Sequence, residues 1–312
     1  MNLDLSAYRE CRLCPRNCGV DRTAGRKGVC GETAVCRIAH AGPHFGEEPS
    51  FSGTRGSGTI FFSGCSSHCF FCQNRQISGE NSGREYPPDE LPALAEEVLA
   101  QAVHNLNFVT PDHFWPHAAA LCRELRLRGV EVPFLYNCSG YQLPALIPAV
   151  AELMDIFLPD FKFADAELAR RCMGAADYPD IAFAALKRMV TEKGFLYPWD
   201  PSGRRTAARG VLVRHLVLPG QVENSLAVLD RLHREFGSDL PLSVMSQYRP
   251  MPACEGRGEF ARGVTREEYE RVCDRVGELG FWRVYMQELT PETAFLPDFR
   301  RPEPFAGNRK PA

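Results

Sequence analysis

From Thr59 onward the chain alternates short apolar runs with longer amphipathic segments, and this leaves few folds open. The apolar runs are 59–63, 106–109, 133–137, 155–159, 211–218 and 242–247. They are rich in Val, Ile, Leu and Phe, as strands covered on both faces must be. Between them, 90–104, 115–129, 142–153, 182–194, 223–236 and 266–280 read as helices. In the first of these, Leu91, Leu94, Val98 and Ala102 share one stripe with acids opposite. Gly129, Gly194 and Gly280 stand where helix C-caps are expected. Six β/α units predict a parallel sheet that right-handed crossovers curl toward a barrel. Six units fall short of a full barrel, so the expected fold class is α/β, a partial (βα)6 TIM-like barrel.

The 312 residues suffice for one large α/β domain or two ordinary ones. The expected division is a cysteine-rich metal-binding segment over 1–52, the barrel over 53–290 and a tail over 291–312. The first fifty residues show no helical or strand period, and FSGTRGSG at 51–58 reads as a linker or a phosphate-type loop. Glu47 and Glu48 just before it either contact the active site or are simply solvated, and solvation is the expectation. The Pro- and Arg-rich tail is expected to be loosely attached.

A formal charge of −3 gives no global positive field, which argues against nucleic acid or anionic lipid as partner. No run approaches the roughly 18–20 apolar residues of a membrane span. The opening MNLDLSAYRE has acids where a signal peptide has a basic start. A soluble, cytoplasmic protein is expected.

Thirteen cysteines are too few for a disulfide scaffold in a chain of this length, and close spacing points to metal. Cys65, Cys69 and Cys72 form C-x3-C-x2-C directly after the first expected strand. In an α/β barrel that is the rim where chemistry sits. Three thiolates can each take one iron of a cubane and leave the fourth open, whereas a structural site is closed. A zinc site completed by His68 is the plainer alternative, but His68 adjoins Cys69 and would point elsewhere on a tight loop.

These residues resemble the radical S-adenosylmethionine (SAM) superfamily, whose mark is this spacing with an aromatic before the third cysteine, here Phe71. The resemblance implies a [4Fe–4S] cluster whose open iron chelates SAM. It also implies an electron donor such as flavodoxin or ferredoxin, and cleavage to a 5′-deoxyadenosyl radical that takes hydrogen from a substrate.

More narrowly, CFFCQNRQIS at 69–78, LPDFK at 158–162 and RHLVLPG at 214–220 resemble the pyruvate formate-lyase activating enzyme-like group, over about residues 40–290. That resemblance implies activation of a glycyl radical enzyme. It assigns Asn137, Cys138 and Ser139 to cofactor or cation contact and Asp160 and Lys162 to SAM or substrate. The plainer alternatives are turn formers for Asn137 and Ser139 and surface ion pairs of Asp160 and Lys162 with unrelated residues. The superfamily's Gly-Gly-Glu at the second strand end is absent from FVTPDHF (108–114), where Thr110 or Asp112 is the expected substitute in binding the SAM amino group. His113 is either catalytic or packed against a neighbour.

Cys11, Cys14, Cys18 and Cys30 form C-x2-C-x3-C-x11-C, a set that suits a structural zinc or an auxiliary iron–sulfur cluster. Three classes of function remain at this point. One is a radical enzyme acting on a glycyl radical enzyme, a small molecule or a protein side chain. The others are an iron–sulfur electron carrier and a zinc-stabilised binding module.

Overall fold

The computed structural model describes residues 1–289 and 296–305. Ten strands run in chain order: β1 (Cys36–His44), β2 (Ser57–Phe62), β3 (Arg84–Tyr86), β4 (Leu106–Val109), β5 (Phe134–Cys138), β6 (Ile156–Pro159), β7 (Gly210–Val211), β8 (Val213–Leu216), β9 (Leu242–Met245) and β10 (Val284–Met286). One sheet has the order β3-β1-β2-β4-β5-β6-β7 and a second the order β10-β9-β8. The two are continuous, because Phe161 N–H donates to the Arg214 carbonyl (2.8 Å) where β6 meets β8. Along the sheet orders β2-β4-β5-β6-β7 and β8-β9-β10 every pairing is parallel. The six expected strands are all present, β10 adds a seventh track, and the fold is an α/β partial barrel.

Helices cover the outside: α1 (Pro49–Ser52), α2 (Arg75–Ser78), α3 (Leu91–Leu99), α4 (Trp115–Leu127), α5 (Ile147–Ala151), α6 (Ala166–Met173), α7 (Tyr178–Lys193), α8 (Val222–Phe236) and α9 (Arg266–Glu278). Local chemistry sets their ends. The Asp165 side chain caps α6 by accepting from Leu168 N–H (2.6 Å), and Thr265 with Glu268 forms a capping box on α9. Gly194 closes α7 in a positive-φ conformation. Among the described residues no helix is long and apolar enough to cross a membrane.

Strand side chains alternate between two cores. Phe108, Phe134, Tyr136, Phe157 and Val213 face the helices. Leu135, Ile156, Leu158 and Leu212 face inward and pack around Phe51, closing one end of the lumen.

Four expectations need correction. The first fifty residues do hold a strand, β1, which pairs antiparallel with β2 and β3. Its register shifts between Ile38 and His40, so the alternation breaks mid-strand and no period-2 pattern survives in the sequence. The 51–58 stretch is no linker: Phe51 is wholly buried and Ser57 and Gly58 begin β2. A Cβ on Gly58 would stand 2.6 Å from Val103 Cγ2, so that glycine serves close packing. Glu47 and Glu48 are buried in the lumen.

The tail is docked over 296–305, where Phe299 and Phe305 pack on Phe61 and Gln76 Nε2 donates to Asp298 (3.0 Å). The remainder, 291–295 and 306–312, lies outside the described residues.

Candidate functional site

Strand β2 delivers the chain to Ser63, and Gly64 turns it into the cysteine loop with φ +81°. A Cβ at Gly64 would lie 2.7 Å from the Cys30 carbonyl oxygen, so the turn requires glycine for space as well as for dihedral. Cys65, Cys69 and Cys72 all follow within eight residues and none is in a disulfide. Ser67 N–H donates to Cys65 Sγ (3.4 Å) and the Ser78 hydroxyl to Cys72 Sγ (3.2 Å). Burial pushes the Cys65 thiol up to about 11, with Cys72 adding to the rise. Burial also raises Cys69, opposed by the Lys162 ammonium.

His68 sits at φ +51° and bonds through Nε2 to the Val29 carbonyl, so it turns away from the thiols. The buried Ser66 and Ser67 hydroxyls have no hydrogen-bond partner among the described residues. Three free thiols and two unspent donors on one loop fit an anionic iron–sulfur cluster held by Cys65, Cys69 and Cys72. Among the described residues no three His, Cys, Asp or Glu side chains are disposed around a single metal ion. A cluster asks for one thiolate per iron, each at its own corner.

Beyond the loop, the strand ends carry a charged interior. Asp160 and Lys162 form a largely buried ion pair at the end of β6, which rules out the surface-pair reading. Lys162 is the link to the cysteines, since Cys69 and Cys72 favour its charged form against burial. Deeper in the lumen, Arg214 on β8 binds Glu48 in bidentate fashion (2.8 and 2.5 Å) and also pairs with Glu47. Asn107 and Asn137 donate to Glu47 (3.0 and 3.3 Å). Three carboxylates against two cations leave one negative charge among these side chains.

Of the other expected site residues, Asn137 faces this interior, while Cys138 is buried with Tyr136 in the outer core. Ser139 turns the chain: its hydroxyl accepts from Tyr141 N–H (3.4 Å) and its carbonyl from the Tyr178 hydroxyl (3.0 Å). Thr110 sits at the end of β4 with φ +57°, a conformation rare for a β-branched residue. This strained position is where the Gly-Gly-Glu segment is missing.

Asp112 accepts from Tyr136 and Gln142 (2.6 and 2.7 Å), and its second oxygen has no partner among the described residues. Burial pushes its pKa up to about 6. His113 donates from Nε2 to the Ser63 carbonyl (2.6 Å), and burial pushes it down to about 3, so it is a neutral packing residue beneath the loop. Phe71 is buried against Phe70, Tyr248 and Phe260 and forms a wall of the apolar core.

Sequence reasoning gave no role to Arg214, Asn107 or Tyr178, and it favoured solvation over active-site contact for Glu47 and Glu48. The signal was present in part: an arginine inside the apolar run VLVRHLVL, and an asparagine inside LNFV, must find partners once buried.

Residues 59–196 match the Radical SAM superfamily. The chain is 26% identical over 279 residues to the uncharacterized protein MJ0674 of Methanocaldococcus jannaschii, covering 86% of this chain and 74% of that protein. Streptococcus suis SuiB bound to precursor peptide SuiA is similar with a TM-score of 0.48 and 12% identity, over 72% of this chain and 46% of SuiB. Methylornithine synthase (PylB) is similar with a TM-score of 0.44 and 12% identity, over 75% of this chain and 69% of PylB. The chain thus spans less than half the length of SuiB.

Proposed function

We propose that the chain reductively cleaves SAM and uses the resulting 5′-deoxyadenosyl radical to abstract hydrogen from a substrate in the barrel, a reading supported by the match of residues 59–196 to the Radical SAM superfamily. One observation carries the reading: the cysteine loop and the charged lumen meet at Lys162, which is ion-paired with Asp160 and electrostatically coupled to Cys69. A bound cluster supplies a single electron and an open coordination position.

The chain's own residues do the rest. Asp160 and Lys162 offer one acceptor and one donor at the strand end, suited to the ammonium and carboxylate of an amino acid moiety. The lumen's net negative charge suits a cationic sulfonium ligand. The apolar plug around Phe51 closes one end of the lumen.

The finer proposal is hydrogen abstraction from a glycine of a partner enzyme, with reduction by flavodoxin or ferredoxin in the cytoplasm. The resemblance of 69–78, 158–162 and 214–220 to the activating enzymes supports it. A small molecule or another protein side chain is the alternative substrate.

Anaerobically reconstituted chain, reduced and given SAM, is expected to release 5′-deoxyadenosine, and Cys69→Ala to release none. Iron-free protein after reconstitution, or equal release from the variant, overturns the reading. An electron paramagnetic resonance doublet from a glycyl radical on a partner tests the finer proposal.

A further inference from the structure

The N-terminal 35 residues have an interior unlike any protein core. The buried residues there are Tyr8, Cys11, Cys14, Arg22, Cys30 and Glu32. Tyr8, with the partly buried Met1, Leu13 and Ala34, supplies little apolar burial for a segment of this length. The chain nonetheless folds back on itself repeatedly. Gly19 N–H donates to the Cys11 carbonyl (3.0 Å), Gly28 N–H to the Glu32 carbonyl (3.0 Å) and Ala34 N–H to the Arg22 carbonyl (3.1 Å).

These turns gather the cysteines. A Cβ on Gly28 would meet Cys30 Sγ at 3.3 Å and Cys18 Sγ at 3.5 Å, so both sulfurs press on one glycine. Cys18 Sγ lies 3.9 Å from the Cys11 carbonyl oxygen.

Arg22 is the second observation. It is 1% exposed, stacked on Tyr8 at 4.4 Å, and donates to the carbonyls of Thr33 (3.2 and 2.7 Å) and His113 (2.5 Å). Among the described residues no carboxylate pairs with it; Glu32 pairs instead with Arg37 (3.4 Å). A guanidinium buried without a counter-charge is costly. It also lies over the Phe114 ring (5.2 Å), is near enough to Glu32 and Cys30 to interact electrostatically, and approaches Cys11 Sγ at 3.8 Å from Nη1. Metal-bound thiolates at Cys11 and Cys30 would place further negative charge beside this cation.

The module also touches the catalytic loop directly. Cys65 N–H donates to the Cys30 carbonyl (3.3 Å), and Arg16, between Cys14 and Cys18, donates to the carbonyls of Ser66 (2.8 Å) and Ser67 (3.2 Å).

We infer that Cys11, Cys14, Cys18 and Cys30 hold a second, fully ligated iron–sulfur cluster, charge-balanced by Arg22 and joined to the Cys65–Cys72 loop through the Cys30–Cys65 hydrogen bond, which relays electrons inward. The step moves one electron and no atoms. A low-potential one-electron carrier protein reduces the outer cluster, which is oxidised again as the inner cluster is reduced. The relay role rests on the radical reading, whereas the second cluster stands on the residues above.

Iron and acid-labile sulfide counts on reconstituted full-length chain test it. Wild type is expected to hold about eight irons, and the triple variant Cys65→Ala, Cys69→Ala, Cys72→Ala about four, with one paramagnetic signal on reduction. The double variant Cys14→Ser, Cys18→Ser is expected to hold about four and to cleave SAM at least tenfold more slowly with a flavodoxin donor than wild type, while a small chemical reductant restores the rate. A triple variant holding zinc or no metal overturns the cluster. Should a variant fail to fold, a wild type holding only about four irons overturns it equally. Equal rates with the protein donor overturn the relay alone. Failure to release 5′-deoxyadenosine from wild type would instead sink the radical reading and leave the iron count of the triple variant untouched.

Discussion

Gly140, at the turn after β5, lies so close to β6 that a Cβ on it would stand 1.9 Å from the Asp160 carbonyl oxygen. Its φ of +80° compounds the demand for glycine. Gly140→Ala must therefore push the Asp160–Lys162 strand end aside or unfold it. The expected cost is on the order of 3 kcal/mol, from strain and overpacking together. Thermal unfolding measures it, and an unchanged melting temperature would contradict the close approach.

Tyr178 on α7 ties the same two strand ends together. Its hydroxyl reaches the carbonyls of Ser139 (3.0 Å) and Asp160 (3.1 Å) and accepts from Lys162 N–H (3.0 Å). Tyr178→Phe keeps the ring packing and removes these bonds, at about 1–3 kcal/mol. Weaker SAM binding with unchanged iron content is the expected pattern for a positioning residue. Equal affinity, read by equilibrium dialysis, would show that the tie does not matter to the site.

Arg214→Met leaves Glu47 and Glu48 buried without their cation. Breaking a buried ion network from one side costs about 3–5 kcal/mol. Adding Glu48→Gln is expected to return part of that loss, because it removes one stranded charge. A double variant no more stable in urea than Arg214→Met alone would argue against the shared network.

His215 is fully buried, donating from Nδ1 to the Phe161 carbonyl (2.8 Å) and accepting at Nε2 from Ser225 (2.9 Å). Burial pushes its pKa down to about 4. Unfolded, the imidazole titrates near 6.5, so its contribution is complete above about pH 6.5 and fades as pH falls toward 4. Asp112, pushed up to about 6, acts oppositely: its contribution is complete below about pH 3.9 and fades as pH rises toward 6. Between pH 7 and 6 the His215 effect adds to the same loss from the buried His113 and His117, while Asp112 offsets part of it, so the comparison is made against the His215 variant. Wild type should lose more melting temperature over that interval than His215→Gln, and parallel curves would remove His215 from the account.

Local chemistry was enough to announce strands β2 and β4 to β9, several helix ends and the cysteine loop. Apolar runs, capping glycines and close thiol spacing are read within a few residues of one another. What distance along the chain conceals, only folding decided. The shifted register of β1 erased its pattern, and Glu47 looked like a solvated acid until Arg214, far along the sequence, was found beside it in the lumen. The partnership of Arg22 with the thiols was equally invisible, because a charge is tolerated in an interior only where remote segments bring its complement. Sequence dictated which groups could do chemistry here; the closure of the sheet dictated which of them meet.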